Sequence, residues 1–162
     1  MQEKIEAVSF DHPTFQTTFL KAIRIAECEY QQEKLEVLRN AVLNSAIPNS
    51  LKDDIQAIFI KWIDEFTVSH IRLLRMLHYI DNYNYEQFLA NLPDLEKNRD
   101  FYNQILLELS GKGLIKLSEN YVVIDPVAIK KVEDIDKIIK SKESRTTELG
   151  KQFIQFIENP LV

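Results

Sequence analysis

The sequence predicts a mostly α chain, a helical bundle lobe followed by a small α+β lobe with a short β-hairpin. Three observations carry that expectation. The 162 residues hold only three glycines and five prolines, and 45% of them are apolar, a composition richer in helix formers and poorer in turn residues than a β-sandwich requires. Apolar residues recur at steps of three and four through most of residues 13–92, the spacing of one face of a helix. Past Gly113 that period gives way to two short runs of strand formers. A compact chain of this size buries roughly 70% of its unfolded surface, which suits one domain or two small lobes sharing a core.

Asp11-His12-Pro13 opens the first helix, because proline at the first helical position has no donor to lose and the Asp or His before it can cap. Neither glycine nor proline interrupts from there to Ala46. Phe15, Phe19, Ala22, Ala26 and Tyr30 form the apolar stripe, and Leu35, Leu38, Ala41, Val42 and Ala46 continue it. A helix of roughly 34 residues would be about 50 Å long, so it is expected either to bend near Tyr30 to Glu33 or to project and pair with another chain. Ile47-Pro48-Asn49 breaks it. Ser50 with Asp53 resembles a capping box for a second helix, buried through Ile55, Phe59, Trp62, Ile63 and Phe66. Thr67 caps a third, apolar around more than half its circumference through Ile71, Leu73, Leu74, Leu77 and Ile80, the pattern of a central helix. Tyr85, Phe88, Leu89 and Leu92 mark a short fourth helix that Pro93 ends.

The charged connector 94–98 is the expected boundary between a helical lobe, 1–93, and a second lobe, 94–162. In the second lobe Asp100 caps a helix that runs to Ser110, and Gly111 and Gly113 supply a left-handed exit. Residues 114–117 and 121–124 are expected to pair as a hairpin around Ser118-Glu119-Asn120. Residues 125–144 read equally as a helix and as a solvated insertion. Thr146 or Thr147 caps a last helix that would cover the hairpin with Leu149, Phe153, Phe156 and Ile157.

Charge and cysteine content narrow the function classes. Residues 1–95 hold 9 Lys+Arg against 14 Asp+Glu and residues 96–162 hold 11 of each, so the net charge of −5 lies in the first part. That balance argues against a general nucleic-acid binder, which carries a basic footprint. A single cysteine, Cys28, can build neither an internal disulfide nor a cysteine-based zinc site within one chain. The start, Met1-Gln2-Glu3-Lys4, shows no basic region followed by an apolar run, and a cytoplasmic location is expected.

No constellation with catalytic or metal-binding spacing stands out, and no cofactor is expected. His70 and His78 lie two turns apart on one helix, about 12 Å along its axis, too far to share a metal. Gly111-Lys112-Gly113 follows a helix and precedes a strand, the reverse of a phosphate loop. Arg39, Asn40 and Asn44 are polar residues set in a run otherwise too apolar for an exposed face; they are read as a buried polar network that fixes helix register, or as a partner-binding stripe. Lys112, Lys116, Lys130 and Lys131 are candidate phosphate contacts. Asp64, Glu65 and Arg72 are candidates for a site between the lobes.

Two resemblances accompany this reading. Lys34 to Ser45, followed by Phe66 to Leu74 and by Leu149-Gly150-Lys151-Gln152-Phe153, resembles a group of uncharacterised bacterial helical proteins, some linked to mobile elements or phage defence. That resemblance implies a bacterial intracellular protein and transfers no activity. Separately, the order helix, Gly-x-Gly exit, hairpin, then Thr147-Glu148-Leu149-Gly150 opening a helix looks like a winged helix, a scaffold that serves DNA binding and protein contacts alike. No clearly basic recognition helix precedes Gly111, which departs from DNA-binding members. The expected function is therefore a non-enzymatic interaction or regulatory protein acting as a homo-oligomer, a dimer above all, or with another protein. A winged-helix DNA-binding regulator and an enzyme with its site between the lobes are the alternatives.

Overall fold

The computed structural model describes residues 10–47, 51–124, 127–132 and 135–161, and of 119–132 the backbone alone. The helical class stands: eight α-helices lie among the described residues, α1 Pro13–Glu27, α2 Gln32–Ser45, α3 Asp53–Glu65, α4 Val68–His78, α5 Tyr85–Asn91, α6 Arg99–Gly111, α7 Ile135–Ser141 and α8 Glu148–Ile157. The chain forms two compact units, residues 1–68 with 152–162, and residues 69–151.

In the first unit, α1 starts where Pro13 predicts, with His12 as N-cap accepting from the Thr14 amide. The single long helix does not form. α1 ends at Glu27 and α2 begins at Gln32, so the bend expected near Tyr30 is a full interruption and nothing projects as a 50 Å rod. Helix propensity carries no stop signal here; the stop is electrostatic. One carboxylate oxygen of Glu29 accepts from the amides of Tyr30 and Gln31 at 2.9 and 2.8 Å, which satisfies donors at the start of α2 and forbids the continuous helix. Tyr30, expected on the apolar stripe, is 88% exposed as a result. The Ser50 cap lies outside the described residues, and α3 opens on Lys52 with no side-chain cap.

Phe59, Phe66, Phe153 and Phe156 are fully buried in this unit. Phe153 meets Phe59 edge-on at 5.1 Å and Phe66 at 5.7 Å, the arrangement that the ring quadrupole favours. The last helix is thus part of the core built by the first half of the chain.

In the second unit, α4 is buried through His70, Ile71, Leu73, Leu74, Met76 and Leu77, nearly its whole circumference, as a central helix should be. α5 opens with a capping box between Asn84 and Gln87. Residues 94–98, where the sequence suggests a boundary, form a turn within this unit, with Asp94 at φ 54°. α6 begins at Arg99, so Asp100 sits in its first turn and Asn98 is the N-cap. It ends as expected: Gly113 has φ 73°, and the amides of Gly113 and Leu114 return to the carbonyls of Ser110 and Leu109 at 2.9 Å each, the paired bonds of a Schellman turn.

The hairpin expected between 114–117 and 121–124 is not formed. Ile115 makes an isolated antiparallel bridge with Thr146 instead. Glu119–Ile124 pairs with Val127–Val132, so part of the ambiguous stretch 125–144 is extended and part is α7. Local composition favours strand in both runs; the partner of Ile115 lies 31 residues away, out of reach of a local rule.

Candidate functional site

Asn40 and Asn44 lie one turn apart on α2, and both reach the end of α8. Asn40 Nδ2 donates to the Ile157 carbonyl at 3.1 Å; Asn44 Nδ2 donates to those of Phe156 and Glu158 at 2.9 and 2.8 Å, and to its own helix at Asn40 O, 3.0 Å. The last carbonyls of a helix have no intrahelical partner, and here two amides from a distant helix supply the donors. Arg39 Nη2 donates to Asn40 Oδ1 at 3.4 Å, which turns the amide nitrogen of Asn40 toward α8. The three polar residues singled out in the sequence are one clasp.

A second polar cluster escaped the sequence reading. Lys34 is 8% exposed; its Nζ donates to the Asp64 carbonyl at the end of α3, 2.9 Å away, and pairs with Glu29 Oε2 at 3.4 Å. The Gln31 amide chiefly, then the Tyr30 amide and the Lys34 ammonium, hold the Glu29 carboxyl below the ordinary carboxylate value, against the effect of burial. A carboxyl with a depressed folded pKa adds stability above its unfolded pKa, near 4.5, and loses it as pH falls through the folded value. Wild type is therefore expected to lose more stability than Glu29→Gln between pH 7 and about pH 3, read as the shift in urea midpoint. Equal losses would show that the carboxylate contributes nothing.

In the second unit, Thr147 and Gly150 explain the Thr-x-x-Gly spacing. Thr147 Oγ1 accepts from the Gly150 amide at 3.0 Å, the N-cap of α8, and donates to the Gly113 carbonyl at 2.6 Å. The Thr147 amide donates to Leu114 O at 3.0 Å. Gly150 packs directly on that same carbonyl, leaving no room for a side chain. The motif locks the exit of α6 to the start of α8.

His70 Nε2 contacts Glu108 Oε2 at 2.9 Å; the Gln104 amide first, and His70 second, lower the pKa of Glu108. His70 thus faces a carboxylate of its own unit, and no group of metal-ligating residues occurs among the described residues. Lys112 is half-buried at the end of α6, and Lys116 is exposed. The side chains of Lys130 and Lys131 lie outside the described residues. Asp64 and Glu65 are exposed at the end of α3, where Glu65 pairs with Lys61 at 3.5 Å, and Arg72 is half-buried on α4.

A concave surface of the first unit lies between α1 and α3, as two adjoining open cavities of about 240 and 320 Å³. Ala57 and Ile60 floor both. Outside the cavity lining, Leu20, Ile23 and Phe19 on α1 are 57%, 40% and 44% exposed, and Ile58 on α3 is 46% exposed. No helix among the described residues is long and apolar enough to cross a membrane. Comparisons with protein-family models, curated proteins and solved structures each find no match to this chain.

Proposed function

We propose that this chain is a non-catalytic, cytoplasmic interaction module that works through protein–protein contacts, self-association included. One observation carries this reading: Phe19, Leu20 and Ile23 fall within one sector of α1 and are all substantially exposed, where single scattered apolar residues would be ordinary. The polar candidates Asn40, Asn44 and Thr147 are engaged with backbone groups of the fold, so they support assembly of the domain rather than a reaction. A bacterial, phage-defence setting belongs to the proposal on resemblance alone.

Sedimentation of the full chain, with and without a labelled random DNA duplex at about 50 and 200 mM salt, tests it. The expected result is mass that rises with protein concentration and is indifferent to DNA. The second reading is a DNA-binding regulator using the lysines singled out in the sequence; the winged-helix lobe expected with it is not formed. It requires comigration with DNA at low salt, lost at high salt and lost when Lys112, Lys116, Lys130 and Lys131 are replaced by glutamate.

A further inference from the structure

The break between α1 and α2 is held by one side chain rather than by the backbone. Residues 28–31 contain neither glycine nor proline, and none of them has a positive φ. Cys28 keeps a helical conformation at φ −105° and ψ 0°, and Gln31 is extended at φ −80° and ψ 113°. What fixes the turn is Glu29, whose carboxylate accepts from the amides of Tyr30 and Gln31 and pairs with Lys34. Straightening would give those two amides the carbonyls of Ala26 and Glu27 instead, and make one helix from Pro13 to Ser45, about 50 Å long. α1 packs on α2 and α3 through its buried residues Phe15, Thr18 and Ala22. Its connection to α2 is short, so the two are antiparallel neighbours. α2 is held independently, by the bonds of Asn40 and Asn44 to α8.

We infer that two copies of this chain associate by exchanging α1: residues 28–31 straighten, and α1 of each copy takes the place of α1 on α2 and α3 of the other. The inference rests on the interaction reading above and gives its self-association a route. A second copy is selected because the seat is built for this helix, and every contact that Phe15, Thr18 and Ala22 make within one chain is offered unchanged by the next. An unrelated helix would have to displace α1 with different side chains. Because α1 and α2 are antiparallel, two straightened chains lie side by side about a two-fold axis through residues 28–31, α1 of each against α2 of the other. The net change is confined to the junction, where each chain gives up the Glu29 bonds and gains continuous helix. Tyr30, 88% exposed in the single chain, then lies beside the axis, on the side of the helix that carries Phe19 and Ile23. Of residues 27–34, Glu27, Glu29 and Glu33 are acidic and Lys34 alone is basic, and both copies bring them to the axis. That repulsion, with the high effective concentration of an attached α1, keeps the single chain favoured when dilute.

The test is sedimentation velocity of the full chain, incubated with mild warming at about 1 mM and then diluted to about 10 μM, the two ends of the range of a weak complex, with Glu29→Ala, Gln32→Pro and the two combined. Wild type should give a dimer that persists for hours after dilution, because returning α1 to its own chain requires the seat to open. A weak dimer joined by surface contacts alone falls apart within seconds. Glu29→Ala should raise the association constant by about tenfold or more, since it removes charged hydrogen bonds made in the single chain and two of the like charges at the axis. Gln32→Pro should lower it by about a hundredfold or more. Position 32 is the first of α2 in the single chain, where proline loses no helical donor and Gln31 before it is already extended, but it is interior to the straight helix, where proline breaks the ladder. The combined variant should be monomeric, which separates exchange from association caused by lost stability, and thermal melts check that each variant folds. A dimer that dissociates at once on dilution, or Gln32→Pro dimers as abundant as those of wild type, overturns exchange and leaves the interaction reading standing. If wild type and Glu29→Ala both stay monomeric, self-association falls, and comigration with DNA at low salt would then remove the interaction reading as well.

Discussion

Replacing Gly150 by alanine is expected to destabilise the protein by about 3 kcal/mol, the upper range for forcing extra volume into a packed site, which lowers Tm by roughly 6 to 12 °C in a domain of this size. Helix propensity alone argues the opposite sign, since alanine is favoured over glycine by about 1 kcal/mol inside a helix. Geometry decides. A Cβ at Gly150 overlaps the Leu114 carbonyl oxygen and comes within 2.6 Å of Thr146 Cγ2 and 3.0 Å of the Leu114 carbonyl carbon. Two of these three atoms are backbone and cannot rotate aside. The same oxygen accepts from the Thr147 amide, so moving it breaks the cap that holds α8. Gly111 is the control: a Cβ there meets nothing within 4 Å and its backbone is helical, so Gly111→Ala should stabilise by about 0.5 to 1 kcal/mol. Thermal denaturation of the two variants beside wild type checks both signs. Two shifts of the same sign would mean that propensity, not the close approach, governs Gly150.

The second large effect is expected at Asn44. Alanine there removes donors from the carbonyls of Phe156 and Glu158, and losing the partner of a buried acceptor costs about 1 to 3 kcal/mol. Asn44→Asp is more telling because it conserves size. An ionised carboxylate would face carbonyl oxygens at the negative end of a helix, so the expected loss at neutral pH exceeds that of alanine, about 3 kcal/mol or more. The sign of its pH dependence follows. The new carboxyl has a raised folded pKa, so the variant is most stable below its unfolded pKa, where the acid can donate, and weakens as pH rises through the folded value. Urea midpoints at about pH 4 and pH 7 check this; no recovery of Asn44→Asp toward Asn44→Ala at low pH would refute the clasp geometry.

What can be read from the sequence depends on whether the cause is local. Pro13 after His12, the exit at Gly113 and the buried circumference of α4 are set by residues within a turn or two, and each is legible. Asn40 and Asn44 can be recognised as misplaced polar residues, because their spacing puts both on one side of an apolar helix, but the carbonyls they serve lie 112 to 117 residues along the chain. The break between α1 and α2 is legible only as excess length: Glu29 stops the helix by binding amides beside it while Lys34 bridges it to α3, and a lysine on a helix ordinarily reads as solvent-facing. The bridge of Ile115 to Thr146 has a similar cause, a partner beyond the reach of any window.

The clasp between α2 and α8 has a consequence for how the chain is made. Its two asparagines emerge from the ribosome 112 to 117 residues before the carbonyls they hold. Phe153 and Phe156, which complete the aromatic core with Phe59 and Phe66, arrive equally late. The first unit therefore cannot close during translation of its own N-terminal part; it waits, with an apolar face uncovered, until residues 153–158 have been made. Closing so long a loop costs little more entropy than closing one half as long, so the delay is a matter of timing rather than of final stability. During that interval the nascent protein is open to chaperones and to aggregation, and a stop codon placed just before Phe153 would leave the first unit without its key.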